Sequence, residues 1–302
     1  MQTGAGAASP ATSPGKVTGV QSLLTGLVIV AMFRLPRLLP WRLRLATADF
    51  LMAWIFAPLA GYRSRIQANL ALARPDLDET EIRRLCRRVP GNVGRFITEV
   101  TSVDDFRARV SPLPMTGDGV EILFGALDAK RPVIMVSGHF GNFDAVRVAL
   151  THRGYSIGAL YRPHDDPYVD AHYTAMLSGI AEPIFPKGRR GLGAMLKFLR
   201  QGNALAILVD QHVKDGAPLT FFGKPAATTL SAAEMALKYD ALLVPAYGVR
   251  RGDSFDVIIE PPIPPGPPDQ MMQAVNDSLE ARIRADMDQW LWIHRRWKLA
   301  GG

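Results

Sequence analysis

From residue 62 to about residue 110, apolar residues recur at spacings of three and four: Ile66, Leu70 and Leu72, then Ile82, Leu85, Val89, Val93, Phe96, Ile97 and Val100. That period belongs to amphipathic helices. Asp78 stands three residues before Glu81, the spacing of a capping box at the start of the second run. Beyond Pro112 and Pro114 the rhythm changes to short apolar runs separated by amphipathic stretches. Strands are predicted at 132–137, 155–160, 204–209, 242–247 and 255–259, and helices near 118–129, 142–152, 166–180, 189–201 and 229–239. Alternation of this kind predicts an α/β fold with a mixed central sheet covered by helices on both faces. A proline-rich stretch, PPIPPGPP (261–268), leads into a predicted final amphipathic helix, and the chain closes on WLWIHRRWK (290–298).

The first 62 residues follow a different logic. Residues 1–16 are Gly, Ala, Ser, Thr and Pro with no periodic apolar face, and read as a disordered tail. Residues 17–33 carry no charge, and about 17 residues is the shortest helix that crosses a bilayer. Arg34, Arg37, Arg42 and Arg44 then interleave with Leu35, Leu38, Leu39, Trp41, Leu43 and Leu45. A membrane interface selects that mixture, since apolar groups enter the acyl boundary while guanidinium groups meet lipid phosphates. A second apolar stretch, residues 50–62, is too short to span. The expected organisation is a tail (1–16), a membrane anchor or interfacial helices (17–61) and one α/β domain (62–302). Two core helices of a soluble domain are the alternative for the middle segment. If the first segment spans, the arginines on its C-terminal side place the rest of the chain in the cytoplasm, at the inner membrane.

With 302 residues, 48% of them hydrophobic, the chain can bury a large core. The formal net charge of +7 favours an anionic partner. A single cysteine, Cys86, excludes an internal disulfide and a cysteine-based zinc site, and is expected to be a buried packing residue. There is no P-loop: GRRGLG (188–193) lacks the order of a nucleotide-binding glycine loop.

The chemistry concentrates where the strand VIMVS ends. His139 and Asp144 follow it with four residues between them, and ligands of α/β sheets bind at the carboxyl ends of strands. On a continuous helix the two side chains would lie about 140° apart, so they meet only if the chain turns. Gly138 and Gly141 permit that turn, and Asn142 suits the N-cap of the helix that carries Asp144. A carboxylate on one imidazole nitrogen raises the basicity of the other, giving a general base for a hydroxyl. Amides at the new helix start could favour a developing oxyanion. A catalytic pair and a chance pairing of His with Asp both fit these residues alone.

Six segments in order carry a resemblance: HFGNFD (139–144), YRPH (161–164), KGRRG (187–191), DQH (210–212), FFGKPAATT (221–229) and WLWIHRRWK (290–298), preceded by GYRSRIQANLALARPDL (61–77). They resemble the bacterial lipid A biosynthesis acyltransferases, the lauroyl and myristoyl transferases, within the superfamily marked by a histidine and an aspartate separated by four residues. The resemblance runs from about residue 17 to 298. It implies an O-acyltransferase that needs no cofactor or metal and moves a fatty acyl chain from an acyl carrier protein to a hydroxyl of a lipid A precursor. It implies His139 as general base, Asp144 as its orienting acid and Asp210 as a further carboxylate of the site. Arg162, His164, Lys187, Arg189, Arg190 and Gln211 would bind substrate. The chain departs from the family in having no arginine between residues 165 and 186, and in placing His212 where a second acid is usual.

Arg162 and His164 also stand as a salt-bridge partner and a loop histidine, and the 187–190 cluster as a solvated face. His294, Arg295 and Arg296 read as structural, in a terminal helix flanked by Trp290, Trp292 and Trp297. Three readings compete with lipid A acylation: acylation of another glycolipid or a lysophospholipid, a metal-dependent hydrolase built on His139, His164, His212, Asp144 and Asp210, and a non-catalytic lipid-binding scaffold. Nucleic-acid binding ranks last, since no reader module occurs.

Overall fold

The computed structural model describes residues 35–298. The tail 1–16 and the uncharged segment 17–33 therefore lie outside the described residues. A first helix, α1 (Trp41–Leu51), runs on through a π-helical turn (Met52–Phe56) to Leu59 and is followed by α2 (Tyr62–Ala73), α3 (Glu79–Thr101) and α4 (Val103–Val110). The α/β part then reads β1 (Met115–Thr116), α5 (Val120–Asp128), β2 (Val133–Ser137), α6 (Asp144–His152), β3 (Ile157–Tyr161), α7 (Pro167–Ile180), β4 (Ile184–Pro186), α8 (Arg189–Arg200) and β5 (Ala204–Leu208). After the hairpin β6 (Ala217–Phe221) and β7 (Lys224–Thr228) come α9 (Ser231–Lys238), β8 (Leu242–Arg251), β9 (Ser254–Ile259) and α10 (Pro268–Ala285).

Seven strands form one sheet in the order β1-β9-β8-β2-β5-β3-β4. β8, β2, β5, β3 and β4 run parallel, whereas β9 is antiparallel to β8 and carries β1 parallel to itself. The sheet is mixed and covered on both faces, in line with the sequence pattern. On one face Met135, Val244 and Val257 pack with Phe106 of α4, Leu123 of α5 and Val146 of α6. On the other Ile134, Val136 and Leu205 pack with Met195 of α8, Ala232 of α9 and Met272 of α10. Strands buried on both faces read as continuous apolar runs, and this is how VIMVS and ALAIL were visible.

The helical N-terminal part shares a core with the C-terminal segment and the sheet edge. Asp78 caps α3 by accepting the Glu81 N–H at 2.8 Å, and Leu70, Leu85, Val89 and the buried Cys86 pack together beside Trp290, Trp292 and Trp297. Trp41 and Leu45 of α1 join the sheet-face core. Among the described residues no single helix is long and apolar enough to cross a membrane, although the pair Trp41–Leu59 and Tyr62–Ala73, bent by 87°, passes together by length and composition.

Three features differ from expectation, the first being that the short strands β1 and β4, of two and three residues, were not predicted. The hairpin β6–β7 was not legible as strands, because APLTF and KPAAT each contain proline and lack alternation. It closes on Phe222 and Gly223, both with positive φ (51° and 68°), as a two-residue hairpin turn requires. The terminal segment also is not a helix. After α10 only a single 3-10 turn (Met287–Gln289) remains among the described residues, and the tryptophans beyond it pack among Phe221 and Phe222.

Candidate active site

Register places the two principal groups. β2 and β5 are parallel neighbours with Ser137 opposite Leu208, and the Val209 N–H extends the ladder to the Ser137 carbonyl at 3.0 Å. Two residues further along each strand stand His139 and Asp210, side by side at the carboxyl edge of the sheet. The His139 backbone N–H donates to Asp210 Oδ2 at 2.8 Å, and Nδ1 of the ring lies 2.8 Å from Oδ1. Trp290 Nε1–H donates to Oδ2 at 2.9 Å. Gly138 makes room for this arrangement, since a Cβ there would lie 3.1 Å from Asp210 Oδ2 and 2.7 Å from Leu279.

The Asp210 side chain is fully buried, whereas His139 keeps 22% of its side chain exposed. Burial alone would raise the Asp210 pKa, but the neighbouring imidazole charge and the hydrogen bonds from His139 and Trp290 hold it well below the usual carboxylate range. An ionised carboxylate only accepts, so the His139 ring proton sits on Nδ1 and Nε2 carries the lone pair. Burial works to lower the His139 pKa, and the charge of Asp210 with its hydrogen bond outweighs it, leaving the imidazole more basic than usual.

The C-terminal segment is laid against this loop. The Gly141 N–H donates to the Gln289 carbonyl and the Leu291 N–H to the His139 carbonyl, each at 3.0 Å, with Phe140 and Trp290 paired between them. The next turn brings the His294 ring to 5.0 Å from that of His139. The Gln211 amide nitrogen stands between them, 3.5 Å from His139 Nε2 and 3.4 Å from His294 Nε2. Burial and the nearby His139 lower the basicity of His294. The spacing of WIHRR could not show that His294 belongs to the site, because the contact depends on the segment leaving the helix. Arg296 is structural as expected: it is fully buried and donates to the Ala227 carbonyl at 2.7 Å and to Thr228 Oγ1 at 2.6 Å. Burial pulls its pKa down to about 10.

The structure corrects the role expected of Asp144. It does not orient His139. Gly141, at φ 58°, turns the chain so that α6 begins at Asp144, and the carboxylate, 3% exposed, accepts Arg147 Nη1 at 2.8 Å along the helix. Arg147 also donates to the Ala181 carbonyl at 2.7 Å, so the pair ties α6 to the end of α7. The N-cap position is Phe143, not Asn142 as expected; Asn142, one residue earlier, accepts the Asp144 N–H with its Oδ1 at 3.1 Å, while its amide donates to the buried Glu99 at 2.9 Å. Since the Ala145 N–H is taken by the Asn142 carbonyl, the first amides of α6 are already used and do not serve an oxyanion.

His139 opens onto a cavity of about 700 Å³. Its floor includes a row across the sheet, Met135, Ala206, Ala159 and Ile184, which are register partners in β2, β5, β3 and β4. Two alanines between bulkier neighbours leave a trough, roofed in part by Tyr173 and Leu177 of α7. Arg162 and Gln211 also line the cavity. His164 does not: its N–H donates to Asp170 at 2.8 Å and its ring meets Tyr173 edge-on. Lys187, Arg189 and Arg190 are exposed at the turn into α8 and do not line it. A smaller recess of about 200 Å³ meets His139 from the α3 side, between Val93, Phe96 and Leu291. Among the described residues no three His, Cys, Asp or Glu side chains are grouped to hold a metal ion.

The model of a family described as bacterial lipid A biosynthesis acyltransferase matches residues 16–299. A lipid A biosynthesis acyltransferase of Haemophilus influenzae is 22% identical over 259 residues, covering 84% of this chain and 81% of its own. The lipid A biosynthesis lauroyltransferase of Escherichia coli is 24% identical over 241 residues, 77% of this chain and 78% of its own. A second Haemophilus influenzae lipid A biosynthesis acyltransferase is 27% identical over 262 residues, 81% of each chain.

Proposed function

Because the chain belongs to the bacterial lipid A biosynthesis acyltransferases, a family of O-acyltransferases, we propose that it moves a fatty acyl chain from an acyl carrier protein thioester to a hydroxyl of a lipid A precursor, Kdo-lipid A. The observation that carries this reading is the His139 imidazole, held through Nδ1 by an ionised Asp210 and lining a largely apolar cavity. The acyl chain of the donor lies in the trough over Ala159 and Ala206. The acceptor hydroxyl stands at Nε2, where His139 takes its proton as the oxygen attacks the thioester carbonyl. The C–S bond then breaks and the carrier thiolate leaves, taking the proton from His139 Nε2 and so restoring the free base.

Arg162, at the same cavity, supplies positive charge to the carbonyl oxygen as it becomes an oxyanion. Gln211 fixes the imidazole face, and Asp210 stabilises the imidazolium that forms. The net charge of +7 suits docking of an acidic carrier protein. Attachment to the cytoplasmic face of the inner membrane is supported by Leu43, Phe50 and Leu59, which are 56%, 56% and 83% exposed on the N-terminal helices.

Mass spectrometry of lipid A and phospholipids from cells with and without the gene tests the acceptor. Loss of one acyl chain from lipid A supports the proposal; an unchanged lipid A with an altered glycolipid or phospholipid overturns it.

A further inference from the structure

A second cavity, of about 590 Å³, lies among the π-helical turn, α2 and the start of α3, and shares no lining residue with the cavity at His139. Four arginines converge on it: Arg63, Arg83, Arg84 and Arg87. Arg83 and Arg84 are paired along α3 with Glu79 and Glu81, at 2.9 and 2.7 Å. Arg63 has no carboxylate partner among the described residues; it donates to the Ala53 carbonyl at 3.2 Å and lies 5.8 Å from the centre of the Trp54 ring. Arg87 makes no hydrogen bond or ion pair among the described residues. Among the described residues, two arginines lining one concavity thus have no carboxylate partner, beside Thr80.

The surroundings say what the counter-charge belongs to. Trp54 lines the cavity and is 52% exposed, and Phe50, Ile55, Phe56 and Leu59 in the same helical run are 56, 43, 49 and 83% exposed. Exposed aromatic and alkyl groups beside unpaired arginines match the boundary of an anionic leaflet, where rings sit at headgroup level and guanidinium groups meet phosphate. An acidic protein would present carboxylates over a broad polar face and leave this apolar strip in water. A free phosphate would need no such strip.

We infer that this cavity holds the headgroup phosphate of an anionic glycerophospholipid of the supporting membrane, with Arg63 and Arg87 on the phosphate oxygens and the acyl chains against Trp54 and Phe56. The site is separate from the one that binds the reacting lipid, and the inference does not depend on the acyl-transfer reading.

The test is co-sedimentation of the full-length protein with phosphatidylcholine vesicles prepared with and without phosphatidylglycerol. A basic residue near an anionic surface contributes about fivefold to partitioning, so Arg63→Gln with Arg87→Gln should lose about 25-fold of the phosphatidylglycerol-dependent binding. Arg65→Gln with Lys214→Gln removes the same charge outside the cavity and should lose much less. Circular dichroism and thermal midpoint confirm folding of each variant. Turnover with detergent-dispersed acceptor should be the same in the cavity variant as in the native chain, which separates loss of the lipid site from loss of the reaction. Equal losses in both charge-matched variants would overturn the inference in favour of diffuse attraction. Competition by inorganic phosphate at constant ionic strength would overturn it in favour of a free-phosphate site. Loss of carrier-protein binding with vesicle binding intact would also overturn it.

Discussion

Asp210 grips His139 twice, accepting its backbone N–H and its ring nitrogen at 2.8 Å each. The carboxylate thereby fixes both the position of the ring and the location of its proton. Catalysis by the free base requires a neutral imidazole, so the acid limb of the pH–rate profile follows the His139 pKa, which Asp210 holds above its usual value. In Asp210→Asn the charge that raises this pKa is gone, and the limb should move to lower pH. The plateau rate should fall about 10²- to 10⁴-fold as the tautomer is lost. A pH–rate series on purified enzyme checks both, and an unmoved limb would count against the pairing.

Asp144 behaves differently. Its carboxylate and Arg147 are both buried and satisfy one another at 2.8 Å. Removing one member of such a pair strands the other charge and costs about 3–5 kcal/mol. Asp144→Asn should therefore lower the urea midpoint sharply while leaving the acid limb of the rate profile where it is. Asp144→Asn combined with Arg147→Met should recover much of the stability. A displaced limb with unchanged stability would return the orienting role to Asp144.

The loop that carries His139 depends on Gly141. Its φ is 58°, and a Cβ there would lie 2.1 Å from the Gly248 carbonyl oxygen, whose bond to the Asn142 N–H at 2.8 Å anchors the loop to β8. Gly141→Ala adds left-handed strain of about 1–2 kcal/mol to that clash. We expect a lower thermal midpoint and a disproportionate loss of turnover, measured at a temperature where the variant remains folded.

Chain length should respond to the trough. Ala206 and Ala159 are the small members of a row whose other residues are Met135 and Ile184. Ala206→Leu fills space that the acyl chain would use, so preference among saturated donors should shift to shorter chains with the rate on the best donor largely kept. Competition between carrier-protein thioesters of different length, read by mass spectrometry of the product, measures this. A uniform loss at all lengths would place the chain elsewhere.

Much of the fold was legible because its strands are short apolar runs and its helices keep a clear period. β2, β5 and β9 begin and end within one residue of the sequence expectation. The site was legible only in part. The sequence pointed to His139, Asp210, Arg162 and Gln211, which the fold brings to one edge of the sheet, but not to the partner of His139, since sequence proximity favours Asp144 whereas contact depends on β2 and β5 being sheet neighbours. Strand order is a tertiary property that no local pattern encodes. His294 was hidden for the same reason: a run rich in Trp and Arg reads as a packing helix, and only the aromatic cluster with Phe221 and Phe222 draws it out of helical geometry and across to His139. Lys187, Arg189 and Arg190 were plausible by charge, yet the turn before α8 leaves them exposed outside the cavity.

The central claim is that the His139 imidazole removes the proton from the acceptor hydroxyl. Its most direct test is acyl transfer from an acyl carrier protein thioester to a lipid A precursor by purified native protein and by His139→Ala, at matched folded concentration. The account predicts a loss of about 10²- to 10⁴-fold in the folded variant, with a lowered thermal midpoint because the buried Asp210 carboxylate loses its ring partner. Transfer at the native rate by a folded His139→Ala protein would contradict it.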